Sequence, residues 1–204
     1  MKPGKYKGPL ASGLNRREFL KTSRALLLLA SLPAKQLFAQ TPGPGNKHNP
    51  SDPLDLTFSE TEQRVLDAVQ MQLFPDDGDG PCARDLNALT YLQWAMQDPD
   101  NIEDGDPEFI SKGVGWLTDL SVQDQGKEFP SLTTDQQGEV MQQISKSRTG
   151  ENWLSLLLYY LTESLMLDPV YGGNPNSIGW TWLGHQPGFP RPIPGKRFMD
   201  FEQP

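Results

Sequence analysis

A chain of 204 residues accommodates one domain of ordinary size beside a targeting segment, and it excludes a second large domain. Hydrophobic residues make up 36% while Gly and Pro number 19 each, which predicts a modest core with long irregular stretches. The net charge of -8 is unevenly placed: residues 1–39 hold eight of the 18 Lys and Arg and one of the 26 Asp and Glu, so the remainder has ten basic and 25 acidic residues and repels phosphate backbones and anionic lipid surfaces.

In chain order, Leu14-Asn15-Arg16-Arg17-Glu18-Phe19-Leu20-Lys21 sets paired arginines ahead of Phe-Leu-Lys, followed by the apolar run Ala25 to Leu32 and the small Ala39. This order resembles a twin-arginine export signal over residues 1–39, read at Arg16, Arg17, Phe19 and Leu20, with a cleavage point at Ala39. The apolar run is far shorter than the ~20 residues that span a bilayer. A twin-arginine translocase carries folded cargo, so the resemblance implies a protein that works in the periplasm. Residues 40–53 read as a linker, because prolines lack amide donors and glycines favour irregular backbone.

Residues 54–168 read as a helical domain. Ser59 with Glu62 forms a capping box, and Val65, Leu66, Val69 and Leu73 fall on one face of a first helix that ends near Phe74-Pro75. Leu86, Leu89, Leu92 and Met96 predict a second helix that stops before Asp98-Pro99. Asp106-Pro107-Glu108 reads as an N-cap, a first-turn proline and an acid near the positive helix end, opening a third helix with Phe109, Gly113, Trp116, Leu117 and Leu120 on one face. Thr134 with Gln137 suggests a capping box for a fourth. Trp153 to Leu167 is apolar almost all round and reads as a buried central helix. No stretch alternates as a strand does. The expected fold is all-α, a small bundle of about five helices with a long irregular C-terminal arm over 169–204, rich in Gly, Pro and aromatic residues and read as the partner-binding segment.

The sequence holds no evident catalytic, cofactor or metal set. One cysteine and two histidines exclude a Cys-x-x-Cys-His haem site, and no Gly-x-Gly-x-x-Gly fingerprint occurs. Asp76, Asp77 and Asp79 lie in a Gly-rich loop, but position 12 of a calcium loop counted from Asp76 is Asn87 and not Glu, so the loop reads as solvated, as does the second acidic run from Asp98 to Glu108. Cys82 reads either as a small buried thiol or as half of an intermolecular disulfide.

Asp168-Pro169-Val170-Tyr171-Gly172-Gly173-Asn174, then Gly179-Trp180 and Gly184-His185-Gln186-Pro187-Gly188, resembles the gluconate 2-dehydrogenase subunit 3 family, as do Phe74-Pro75 and the acidic loop that follows. The resemblance implies a small, non-catalytic subunit. Its partners would be a flavoprotein large subunit of the glucose-methanol-choline type, which holds FAD, and a multihaem cytochrome c with haem c, at the inner membrane. The small subunit would assist the folding of the large one and take it through the twin-arginine pore. Asp168, Pro169, Tyr171, Gly172, Gly173, Asn174, Gly179, Trp180 and Trp182 are the expected partner-binding residues, with rigid aromatics as anchors. The competing reading from the residues is a free-standing periplasmic protein or enzyme whose aromatic tail lines a sugar-binding groove.

Overall fold

The computed structural model describes residues 58–197. Among the described residues it is all-α as expected, with seven α-helices and no strand. Arg16, Arg17, Phe19, Leu20 and the linker lie outside the described residues.

Helix α1, Glu60–Leu73, starts where the sequence predicts. The Glu62 amide donates to Ser59 Oγ at 3.3 Å and the Ser59 amide to Glu62 Oε2 at 2.8 Å, so two orphan donors of the first turn are satisfied reciprocally. It stops at Phe74, the residue before Pro75. Helix α2, Ala88–Ala95, starts later than Leu86 suggested, because Asn87 adopts a left-handed conformation (φ 52°) that breaks the preceding turn. Leu86 is nonetheless fully buried.

The run from Asp98 to Glu108 is not the solvated loop expected. Asp98 Oδ1 accepts the Asp100 amide at 3.0 Å and caps a short helix α3, Pro99–Asp104, which ends at Gly105 with φ 82°. That glycine also opens α4, Asp106–Gln125, so Asp106 is the first helical residue and not the cap. After a 3₁₀ turn at Phe129–Ser131, α5 spans Thr134–Ile144. Its capping box is Thr133 with Gln136, one residue ahead of the expected pair. Gln137 instead donates to the Phe129 carbonyl at 3.0 Å.

Helix α6, Arg148–Met166, begins before Trp153 because Ser147 Oγ accepts the Gly150 amide at 3.0 Å. It is central, packing Trp153, Leu157 and Tyr160 into one core with Leu66, Leu92, Ile110, Leu117 and Phe129. It is not buried all round: Leu158 and Tyr159 are exposed. The C-terminal segment is more ordered than an irregular arm, with 3₁₀ turns at Pro169–Tyr171 and Pro175–Ser177 and a helix α7, Ile178–Leu183. The absence of a long apolar period hid these short elements. Among the described residues no helix is long and apolar enough to cross a membrane.

Candidate functional site

The segment after α6 is assembled from short-range polar bonds. Leu167 leaves the helix in extended backbone, and Asp168 Oδ1 accepts the Val170 amide at 3.1 Å, closing the turn that carries Tyr171 against Trp94, ring centres 5.2 Å apart. Gly172 takes φ 95°, which favours glycine, and the chain then passes so close to α6 that a Cβ on Gly173 would stand 2.8 Å from the Ser164 carbonyl oxygen. Asn174 is fully buried and bonded four ways: its amide donates to Leu86 O at 3.0 Å, its Nδ2 to Leu167 O at 3.1 Å, its Oδ1 accepts the Gly179 amide at 2.7 Å, and its carbonyl accepts the Ser177 amide at 2.9 Å. Gly179 lies against Leu165, and Trp180, buried, donates Nε1–H to Met166 O at 2.6 Å.

Trp182 turns the other way. Its Nε1–H donates to Asp79 O, its ring meets Phe74 edge-on at 6.1 Å, and its indole fills the space a Cβ on Gly80 would need. The acidic loop after α1 is thereby tied to α7. Cys82, beside that loop, is 7% exposed, and its amide donates to Asp85 Oδ2 at 2.9 Å.

Beyond α7 the chain returns over Trp180. Arg191 Nε donates to Asp168 Oδ2 at 2.7 Å, and its guanidinium sits 5.1 Å from the centre of the Trp180 ring, which also meets His185 at 5.6 Å. Burial alone would raise the Asp168 carboxyl, but the bonds from Arg191 and the Val170 amide outweigh it and hold it below the usual aspartate range. An open cleft of about 320 Å³ lies among Asp168, Trp180, His185, Phe189 and Arg191.

Of the residues expected to bind a partner, the structure thus brings together Asp168 and Trp180, and it places Gly173, Asn174, Gly179 and Trp180 inside their own domain as fixings. Pro169, Tyr171, Gly172 and Trp182 are half-buried. Sequence reasoning missed Arg191, which stands 23 residues from Asp168 with no periodic signal to connect them.

It also missed a set of tyrosine–carboxylate bonds that link α2, α4 and α6. Tyr91 OH donates to Glu163 at 2.8 Å and Tyr160 OH to Asp106 at 2.5 Å. Burial raises the Glu163 and Asp106 carboxyls; the tyrosine hydroxyls oppose the rise, and the neighbouring charges of Asp98 and Asp106 on Glu163, and of Asp104 on Asp106, add to it. The net direction is upward for both. A carboxyl raised by folding binds its proton more readily in the folded than in the unfolded chain, so stability falls as pH rises through its folded pKa. We therefore expect the melting temperature to rise on acidification from neutral pH towards the ordinary glutamate value of 4.5, with Glu163→Gln flattening that slope. Thermal melts of both proteins across that range check it.

A family model described as gluconate 2-dehydrogenase subunit 3 matches residues 60–188, more than half of the chain. The chain belongs to the gluconate 2-dehydrogenase subunit 3 family. No curated protein and no solved structure matches it. The family match takes in α1 through α7, including the Asp168–Asn174 turn and Gly179-Trp180, and its role is that of a subunit of a dehydrogenase complex. Phe189 and Arg191 stand just past the matched residues.

Proposed function

We propose that this subunit 3 family member is the small, non-catalytic chain of an exported FAD-dependent dehydrogenase, bound to a glucose-methanol-choline-type flavoprotein whose folding and twin-arginine export it assists. The flavoprotein holds the FAD and performs the oxidation, a multihaem cytochrome c accepts the electrons through haem c, and the complex works in the periplasm at the inner membrane. The observation that carries this reading is the family match over 60–188. Two further features support it: the paired Arg16 and Arg17 ahead of an apolar run, and a C-terminal segment whose buried half is spent on anchoring the chain while its outer half is exposed.

The test is isolation of the C-terminally tagged chain from membranes and periplasm of its own host, with the visible spectrum and sizes of what accompanies it. A flavin-bearing chain of roughly 60 kDa, a size typical of a large multi-domain subunit, is expected. Arg16→Lys combined with Arg17→Lys should leave both chains in the cytoplasm. A colourless chain that purifies alone from its host would overturn the subunit reading in favour of a free-standing binding protein. A non-reducing gel of the same preparation tests whether Cys82 bridges to the flavoprotein.

A further inference from the structure

The buried hydrophobic residues fall into two groups. Most belong to the main core of α1, α2, α4, α5 and α6, but Phe74, Ala83, Leu86, Leu161, Leu165 and Trp180 are buried outside it. These six come from two stretches far apart in the chain, the end of α1 with the turn before α2, and the end of α6 with α7. Residues 168–183 lie as a strap across both. Towards the first stretch, the Asn174 amide donates to the Leu86 carbonyl, and Trp182 donates to the Asp79 carbonyl with its ring against Phe74. Towards the second, Asn174 and Trp180 donate to the Leu167 and Met166 carbonyls, and Gly173 and Gly179 approach Ser164 and Leu165 too closely to admit a Cβ.

The strap is held differently from the helices beneath it. Of its own hydrophobic side chains only Trp180 is buried, so polar bonds and close backbone approach secure it, and a segment with few buried apolar contacts opens at lower free energy than the core. It also follows α1 to α6 in the chain and leaves the ribosome after them. Until it docks, the Leu86 and Leu167 carbonyls lack these partners and Leu165 lacks the backbone that packs against it. We propose that the 168–183 strap is a separately closing unit of the fold, and that its closure is the step that makes the chain acceptable to a twin-arginine translocase. The second half rests on the twin-arginine reading above, since that route carries folded cargo. The first half rests on the contacts alone.

The test uses the full chain with docking blocked. Gly179→Ala keeps every strap side chain but sets a Cβ against the Leu165 carbonyl oxygen, whereas Gly188→Ala, with nothing within 4 Å of its Cβ position, is the control. The amides of Ala83, Leu86 and Asn174 should exchange several-fold faster in Gly179→Ala, while α4 and α5 keep wild-type protection. In its own host, the ratio of periplasmic to cytoplasmic chain should fall several-fold in Gly179→Ala and stay at the wild-type value in Gly188→Ala. Trp182→Ala, which removes only the clamp on Asp79 and Phe74, should move both readouts the same way by less. Protection lost evenly from α1 to α6 in both Gly179→Ala and Trp182→Ala would overturn the separate unit. An open strap with wild-type export would overturn its role as a checkpoint. Export that survives Arg16→Lys with Arg17→Lys would remove the twin-arginine reading and the checkpoint with it, and the exchange pattern would still decide whether the strap closes on its own.

Discussion

Gly113→Ala should destabilise the domain by about 2 kcal/mol or more, and Gly113→Val should prevent folding. A Cβ at Gly113 would stand 2.0 Å from Trp153 Nε1 and 2.2 Å from Cδ1. Trp153 is fully buried, and its indole N–H donates to the Ile110 carbonyl at 3.1 Å, so the ring has neither room to retreat nor a free rotamer to adopt. Displacing it breaks a buried hydrogen bond and disturbs the core where α4 crosses α6. The gain in helix propensity from Gly to Ala, about 1 kcal/mol, offsets only part of this. Gly115, two residues on, is the control: nothing lies within 4 Å of its Cβ position, and it is exposed. Gly115→Ala should therefore stabilise the protein by up to about 1 kcal/mol. Urea unfolding followed by far-ultraviolet circular dichroism gives both signs, and a Gly113→Ala protein as stable as wild type would refute the packing argument.

Asn174→Ala should cost about 3 kcal/mol or more and release the segment beyond it. Asn174 is in the left-handed region at φ 49°, which asparagine tolerates better than alanine. Removing its side chain leaves the Gly179 amide and the Leu167 carbonyl without their partner, each worth about 1–3 kcal/mol where water cannot replace it. These groups join α7 to the end of α6, so Trp180 and the Arg191 tether lose their support together. Asn176, also left-handed at φ 54°, is exposed, and Asn176→Ala should cost only the backbone penalty of about 1–2 kcal/mol. Thermal melts combined with amide exchange at Gly179 distinguish the two. Equal losses at both positions would mean that backbone conformation, and not the buried bonds, sets the cost.

Local chemistry made much of the helical domain readable from the chain. Ser59 and Glu62 bracket a start, Phe74-Pro75 a stop, and the apolar spacing of α1 points its buried face correctly, whereas α4 is turned from the expected face: it buries Ile110, Val114 and Ser121 with Gly113 and Leu117 and leaves Trp116 exposed. The box of α5 shows the limit of such reading. Thr133 has Gln136 three residues on and Thr134 has Gln137, so two registers are equally satisfied locally. The tertiary structure separates them, because Gln137 is drawn to the Phe129 carbonyl and to Gln72, leaving Gln136 to close the cap. Likewise Leu158 and Tyr159 sit in an apolar run that reads as interior, yet both side chains are exposed on α6.

The candidate site divides along the same line. Gly172, Gly173 and Asn174 announce a tight turn because their conformational freedom and side-chain bonding are properties of the residues themselves, and the family resemblance rests on those letters. Which groups the turn meets is another matter. The Asn174 bond to Leu86, the Trp182 clamp on Asp79, the Tyr91–Glu163 pair and the Arg191–Asp168 tether join residues from 23 to over 100 positions apart. All-α topology, segment character and the class of the protein follow from interactions within a few residues, which a linear pattern records. The inward placement of the aromatic motif, the lifted carboxyls and the outward Phe189 arise from contacts between distant segments, and their energies exist only once the helices have packed.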